Sequence, residues 1–236
     1  MLTRKVRLLI TETVNAKGIQ KIEGNASPNE TRIIQILHLQ TKTNSAGRNQ
    51  TSTAMAQDIW TLPTFNTFKL NFDGASRQNP GMAGYGGVVR DHTGAIHLIY
   101  HGNLGVNTNN AAELIALLQG LTLANRYRLT PLIVEGDSEI IIRMIRKLQM
   151  GAQVHRVTPS WRLSAILNDL QNQLCNRSGI TFQAVRRKAN KLADALANAG
   201  IDSNLAEYHS LWHDQEEGEI KAKCHDLQQA DLQMQA

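Results

Sequence analysis

Four acidic residues of the sequence each fall beside or within a predicted strand or helix. Asp73 follows the alternating run at 69–72, Glu113 lies in NNAAEL, Asp137 in IVEGDSE and Asp194 in NKLADALA. Clustered carboxylates repel one another and are tolerated mainly where cations neutralise them. A ligand set made only of oxygen atoms favours a hard cation, here Mg²⁺ or Mn²⁺. Two such ions about 4 Å apart can stabilise the attacking and the leaving oxygen in phosphodiester cleavage.

Each of these acids also has a structural interpretation, which the sequence alone leaves open. Asp73 with Gly74 could close a turn, because both residues tolerate a positive φ. Glu113 could be an acid favoured by the dipole of a helix start, and Asp137 could cap the next helix. Asp194 is harder to explain, because an Asp between two alanines inside a helix has poor propensity and no capping role.

The elements that must position these acids follow an α/β pattern from residue 68 onward. Helices are expected at 109–126, 138–149, 159–176 and 190–199, the first capped by Asn109 or Asn110 and the last ended by Gly200. Strands are expected at 68–73, 84–90, 95–102, 132–135 and 180–185. The pattern predicts a mixed five-stranded sheet, with three antiparallel strands and then parallel ones, and helices on both faces. That order brings the end of the fourth strand beside the first strand, close to the start of the first helix.

Five segments resemble the ribonuclease H family, in its plant reverse-transcriptase-like branch. They are FDGASRQNPG, GYGGVVRD, NNAAEL, EGDSE and ANKLADALA, and the resemblance covers about residues 68–201. It implies that Asp73, Glu113, Asp137 and Asp194 are both the catalytic and the metal-binding acids. It also implies a cofactor of two Mg²⁺ ions, with Mn²⁺ as an alternative. The implied reaction is cleavage of the RNA strand of an RNA–DNA hybrid, which leaves a 3′-hydroxyl and a 5′-phosphate.

The resemblance also indicates which residues contact the nucleic acid. Three amides match positions that touch the minor groove of the hybrid, where an amide can bond both a 2′-hydroxyl and a base edge. A basic strip before the last helix would bind phosphates. The substrate-binding residues implied are Asn79, Asn109, Asn110, Arg186, Arg187 and Lys188. Alternatively, the amides belong to a turn and a helix cap, and the strip is a solvated face.

One departure from the family pattern concerns a histidine before the last helix. Ala184 stands at the histidine position, and Lys188 stands where the family has an acid. Loss of the histidine is expected to slow turnover without abolishing metal binding, although His155 could substitute for it in space. The alternative function is therefore a catalytically weak or inactive domain that binds nucleic acid without cutting it. A non-functional remnant is the third interpretation.

The remaining sequence favours an intracellular nucleic-acid-binding monomer, nuclear or cytoplasmic. Net charge is +5, with basic residues in excess up to about residue 206 and acidic ones after it, which suits a polyanionic partner better than a membrane. The two cysteines form no metal or disulfide pattern, and no apolar run is long enough to span a bilayer. The basic N-terminus faintly resembles an organelle transit peptide.

We expect three parts along the chain. Residues 1–66 form a poorly patterned extension and linker, with a strand at 7–14 and a helix at 30–39; its end, 60–63, resembles the segment before this domain in plant retroelements. Residues 67–204 form the ribonuclease H-like domain. Residues 205–236 form an acidic, Gln-rich tail, either disordered or a loosely docked helix.

Overall fold

The computed structural model describes residues 58–158, 160–175, 177–211 and 219–234. The strand expected at 7–14 and the helix expected at 30–39 lie outside the described residues. In the described part of the chain, no helix is both long and apolar enough to cross a membrane.

The six strands of the described residues form one mixed sheet in the order β5-β4-β1-β2-β3-β6. The first three strands are antiparallel neighbours, β4 and β5 add in parallel to the free side of β1, and β6 pairs antiparallel with β3. The strands are β1 (Phe68–Ser76), β2 (Gly81–Arg90), β3 (Ile96–Asn107), β4 (Leu132–Gly136), β5 (Ile180–Ala184) and β6 (Tyr208–Leu211).

Two of the helices start where a polar side chain bonds one of the first free backbone N–H groups. Thr108 caps the first helix by accepting a hydrogen bond from the N–H of Ala111, and Ser138 caps the second by accepting from Ile141. The helices are α1 (Asn109–Arg126), α2 (Glu139–Gln149), α3 (Val154–Val157), α4 (Trp161–Cys175), α5 (Lys191–Asp202) and α6 (Glu219–Gln233), with a 3₁₀ turn at Arg187–Ala189.

Two apolar layers cover the two faces of the sheet. On one face, α1, α2 and α4 bury a large cluster that includes Leu117, Ile145 and Leu167. On the other face, α5 and α6 pack Leu196 and Leu227 against strand residues that include Ile99. A Cβ on Gly86 of β2 would overlap the backbone of Ala197, so glycine is needed there to let α5 lie close to the sheet.

The expectation that the first strand ends at Asp73 is wrong. β1 continues to Ser76, and Gly74 pairs with Tyr85 of β2 instead of forming a turn. Asp73 therefore lies inside a strand. The local Asp-Gly signal is overridden because β2 offers strand partners to Gly74, Ala75 and Ser76.

The segment predicted as an acidic tail also differs from expectation. It contributes β6, which makes the sheet six-stranded instead of five-stranded, and α6, whose Cys224 and Leu227 are buried. The interior of α6 is thus docked, not loose. Two smaller expectations fail as well: the cap of α1 is Thr108 and not an asparagine, and α5 runs through Gly200 to Asp202.

Candidate active site

Asp73 is placed on a central strand, and it is almost fully buried. β1 lies between β2 and β4, and Asp73 is 3% exposed. Its Oδ1 accepts a hydrogen bond of 3.0 Å from the N–H of Gly74. Burial raises the pKa of Asp73 well above its ordinary value, and the charges of Glu113, Asp137 and Asp194 raise it further.

Glu113 reaches Asp73 because α1 packs directly against β1. It is the fifth residue of α1, one position beyond the first turn. The alternative that Glu113 is an acid favoured by the dipole of the helix start is therefore wrong. A Cβ on Gly74 would overlap the backbone N of Glu113, which shows how closely helix and strand approach. Burial, and next the charge of Asp137, raise the pKa of Glu113 to about 8.

Asp137 follows β4 directly, and β4 is the parallel neighbour of β1. Ser138 is the cap of α2, so the capping role considered for Asp137 is wrong. Burial raises the pKa of Asp137, Arg187 lowers it and Asp194 raises it. The parallel pairing of β1 with β4 brings this carboxylate to the same end of the sheet as Asp73.

These three acids form one cluster. One carboxylate oxygen from each of Asp73, Glu113 and Asp137 lies within 4.8 Å of the others. The Oε2 atom of Glu113 is buried and has no hydrogen-bond partner among the described residues. A buried, unpartnered carboxylate oxygen in an acidic cluster needs a cation or a proton, and the all-oxygen ligand set fits a divalent ion such as Mg²⁺.

Asp194 lies next to this cluster but is held by an arginine. It is in the first turn of α5, where its N–H donates to the carbonyl of Asn190. Nη2 of Arg187 donates to Oδ1 of Asp194 at 2.7 Å, and Nε of Arg187 lies 4.0 Å from Oδ2 of Asp137. These contacts, and the charges of Asp73 and Asp137, raise the pKa of Arg187.

Asn190 has a positioning role that the sequence did not indicate. Its side chain is 1% exposed, and Nδ2 donates a 2.9 Å hydrogen bond to the carbonyl of Phe72, one residue before Asp73. This bond ties the start of α5 to β1. The sequence could have indicated this role only through the position of Asn190, four residues before Asp194. At that position the carbonyl of Asn190 accepts the N–H of Asp194.

The three asparagines expected at the minor groove are only partly brought together. The N–H of Asn109 donates to Oδ1 of Asn79 at 3.1 Å, so the β1–β2 connection and the start of α1 are joined. Asn110 is exposed beside Asn109. All three lie close in sequence to the elements that carry Asp73 and Glu113.

The basic strip divides between two partners. Arg186 and Lys188 both bond the carboxylate of Asp58, at 3.1 Å and 2.9 Å, while Arg187 turns to the acids. Ala184, at the histidine position, is exposed at the end of β5. It lines a cavity of about 580 Å³ together with Asp137 and Arg187.

The comparisons with known proteins agree on one family. The family model described as "Reverse transcriptase-like" matches residues 71–200. An Arabidopsis thaliana protein named, in provisional terms, as a ribonuclease H protein is 34% identical over 152 residues, 64% of this chain and 23% of that protein. Ribonuclease HI of Halobacterium salinarum is 31% identical over 131 residues, 56% of this chain and 62% of that protein.

Solved structures show the same fold. The H. salinarum RNase H1 structure has a TM-score of 0.50 at 30% identity, over 58% of this chain and 98% of that one. The LC11-RNase H1 structure in complex with RNA/DNA hybrid has a TM-score of 0.50 at 28% identity, over 58% of this chain and 97% of that one. This chain spans less than two thirds of the length of either named relative.

Proposed function

We propose that this chain, which belongs to the reverse transcriptase-like family of ribonuclease H domains, is a metal-dependent endoribonuclease that cuts the RNA strand of RNA–DNA hybrids. The observation that carries the proposal is the convergence of Asp73, Glu113 and Asp137 within 4.8 Å, with Asp194 beside them. A buried acidic cluster of this kind raises the free energy of the folded protein unless cations or protons neutralise it, so a bound cation accounts for its presence.

In the proposed mechanism, two divalent cations, Mg²⁺ or Mn²⁺, would be held by Asp73, Glu113, Asp137 and Asp194. When bound, these ions supply the positive charge that stabilises the attacking and leaving oxygens of phosphodiester hydrolysis. Glu113 keeps one oxygen free of protein partners among the described residues, so that it can serve as a ligand. Water adds to phosphorus, the P–O3′ bond breaks and the leaving oxygen takes up a proton, which gives a 5′-phosphate and a 3′-hydroxyl.

For the substrate, we propose that the paired Asn79 and Asn109, with the exposed Asn110, contact the minor groove of a hybrid. The RNA/DNA hybrid complex of the similar LC11-RNase H1 supports this partner class. Arg186, Arg187 and Lys188 are proposed to reach backbone phosphates, with the chain acting as a monomer. Arg186 and Lys188 must first release Asp58, and their exposure makes this inexpensive.

A second candidate is a binding module that holds the hybrid without cutting it. Ala184 favours this candidate, because no titratable group stands at that position beside Asp137. The intact acidic cluster favours the enzyme. The two candidates differ in whether bound metal leads to cleavage.

The test is cleavage of an end-labelled RNA–DNA hybrid by the full chain in Mg²⁺, in Mn²⁺ and in EDTA. We expect cutting of the RNA strand that needs metal and is abolished in Asp73→Asn. The matched control is Asp169→Asn, an exposed acid on α4, which should retain full activity. Hybrid binding without cleavage by the wild-type chain in either metal would overturn the nuclease in favour of the binding module.

A further inference from the structure

The backbone of Arg187 is fixed beside the acidic cluster by short-range contacts. Arg187 starts the 3₁₀ turn, in which Ala189 N–H bonds the carbonyl of Arg186 at 2.8 Å and Asn190 N–H bonds that of Arg187 at 3.0 Å. The side chain of Asn190 then anchors the turn to β1 at Phe72. The position of the turn is therefore set by the same strand that carries Asp73.

The side chain of Arg187, by contrast, can move. It is 71% exposed, and its described ion-pair contacts are with Asp194 at 2.7 Å and Asp137 at 4.0 Å. A guanidinium in this position places one positive charge beside Asp194, at the edge of the three-acid cluster. Because solvent screens the contact, the ion pair is weak enough for a divalent cation to replace it.

The neighbouring arginine shows that this arrangement is specific. Arg186 has the same charge and similar exposure, yet it bonds Asp58 and not the acidic cluster. Lys188 does the same. The turn thus directs one of three consecutive basic residues to the acids, which a simple solvated basic face does not require.

We propose that Arg187 is a positioning residue that holds Asp194 in the absence of a divalent cation and competes with that cation for the Asp194 carboxylate. The inference rests on the metal site of the proposed function. Arg187 holds the carboxylate of Asp194 in the metal-free protein, and it swings into solvent when the ion binds. There it becomes free to contact a phosphate, so metal loading and substrate binding are linked through one side chain.

Competition has a definite sign. Removing the positive charge of Arg187 should tighten divalent-cation binding, since no ion pair must be broken and no cation stays nearby to repel the metal. An exposed ion pair of this type corresponds to a change of up to about fivefold in affinity. A residue acting only as a phosphate ligand would leave metal affinity unchanged.

The experiment is a Mn²⁺ titration of the full chain without nucleic acid, with free Mn²⁺ followed by electron paramagnetic resonance. Arg187→Gln should lower the Kd for Mn²⁺ by about threefold or more, and Arg187→Lys should stay near wild type. The matched control is Arg186→Gln, which loses the same charge one residue away and should leave the Kd within about 1.5-fold. Far-UV circular dichroism checks that all variants are folded.

The outcomes separate this inference from the proposed function. Mn²⁺ binding by the wild type with an unchanged or weaker Kd in Arg187→Gln would overturn the competition alone. An equal gain in Arg187→Gln and Arg186→Gln would also overturn it, because the cause would then be overall charge. Absence of Mn²⁺ binding in the wild type and in both variants would overturn the metal site, and with it both proposals.

Discussion

Burial of the acidic cluster raises the free energy of the folded protein, and hydrogen bonds from the protein offset little of this increase. Asp73 and Glu113 are each 3% exposed, and burial raises the pKa of both, that of Glu113 to about 8. Protein donors satisfy little of the cluster: the N–H of Gly74 bonds Asp73, whereas Oε2 of Glu113 has no partner within the described ranges. A cation that binds here would neutralise these acids and remove the unfavourable free energy of their burial.

Because burial of these charges is unfavourable, we expect the stability of the protein to depend on divalent metal. Without divalent ions, Asp73→Asn should unfold at a higher temperature than the wild type, because it removes one buried charge from the cluster. Mg²⁺ at 100 times its Kd should raise the free energy of unfolding of the wild type by about 2.7 kcal/mol, and the melting temperature should rise with it. The same Mg²⁺ should have little effect on Asp73→Asn.

Scanning calorimetry with and without Mg²⁺ makes the measurement, and Asp169→Asn serves as the exposed-acid control. A metal-free Asp73→Asn that melts below the wild type would contradict the stored repulsion. It would mean that the hydrogen bond from the N–H of Gly74 to Asp73 stabilises the fold by more than the charge repulsion in the cluster destabilises it.

His101 gives a second prediction at this scale, outside the acidic cluster. It is 2% exposed on β3, stacks on Tyr208 of β6, and neither ring nitrogen has a hydrogen-bond partner in the part of the chain described. Burial lowers the pKa of His101. Below about pH 6.5 the unfolded chain therefore takes up a proton at this residue that the folded chain excludes, and the contribution of His101 to stability falls as the pH is lowered.

Urea unfolding between pH 7.5 and pH 5 should show this loss as a fall in the stability of the wild type relative to His101→Phe, because the raised pKa values of Asp73 and Glu113 act alike in both proteins. His155→Phe replaces an exposed histidine on α3 and should keep the wild-type slope. If His101→Phe loses stability on acidification as steeply as the wild type, His101 does not carry the pH dependence.

At the scale of elements, the site depends on how closely three elements approach β1. β4 pairs with it in parallel, α1 packs over Gly74, and α5 is tied to Phe72 through Asn190. Each contact delivers one acid to Asp73. The sequence predicted the strand order behind these approaches, because the apolar runs and their connections determine it. It could not predict the hydrogen bond of Asn190, which joins residues 118 positions apart.

Element boundaries show the same division between local and distant causes. The bounds of α1 were predicted correctly at Asn109–Arg126, since its apolar residues recur at helical spacing and a polar segment precedes it. The end of β1 was predicted wrongly, because Asp-Gly reads locally as a turn while β2 supplies strand partners as far as Ser76. Gly200 likewise was predicted to end the last helix. It lies inside α5 instead, where small residues allow close packing on β2 and β3.

The close approach at Gly74 gives a prediction for this scale. Gly74→Ala would force apart the backbones of β1 and α1, because the new Cβ would overlap the backbone N of Glu113. Overpacking of a buried contact costs about 1–3 kcal/mol, and rigid backbone on both sides favours the upper end. Urea unfolding should show this loss, and Mn²⁺ affinity should fall because Glu113 is displaced.

Gly105→Ala is the control for the glycine replacement itself. Gly105 has a φ of 61° with nothing within 4 Å of an added Cβ, so it should lose only about 1 kcal/mol through backbone strain and keep its Mn²⁺ affinity. If the two variants behave alike, packing at Gly74 does not position Glu113.

At the scale of the whole molecule, the sheet face under α6 is closed by a buried polar network. Arg90 is 1% exposed, bonds Asp231 of α6 at 2.7 Å, and lies 3.5 Å above the ring of Trp60. Asn71 accepts hydrogen bonds from both Arg90 and Trp60 and donates to Glu135 of β4. The network thus joins the chain before β1, the central strands and the C-terminal helix into one unit.

No local pattern could have predicted this network. Asp231 lies in a Gln-rich stretch with a weak apolar repeat, which is typical of a tail, and its partner is 141 residues away. Arg90 on a strand reads as a solvent-facing residue until α6 covers it. Long-range pairing of two charges explains why α6 differs from the expected tail.

The pair of Arg90 and Asp231 predicts that α6 is part of the stable fold. Asp231→Ala leaves the buried guanidinium without this carboxylate, and loss of one partner of a buried ion pair costs about 3–5 kcal/mol. Urea unfolding should report that loss, and limited proteolysis should cut near α6 much faster than in the wild type.

Asp226→Ala removes an exposed acid from the same helix, 55% exposed, and should change stability by less than about 0.5 kcal/mol. The double variant Arg90→Met with Asp231→Leu should regain most of the stability. Replacing both charges by apolar residues leaves no unpaired charge in the interior, whereas removing only one of them does. Equal stability of Asp231→Ala and Asp226→Ala would show that α6 does not depend on this pair for its docking.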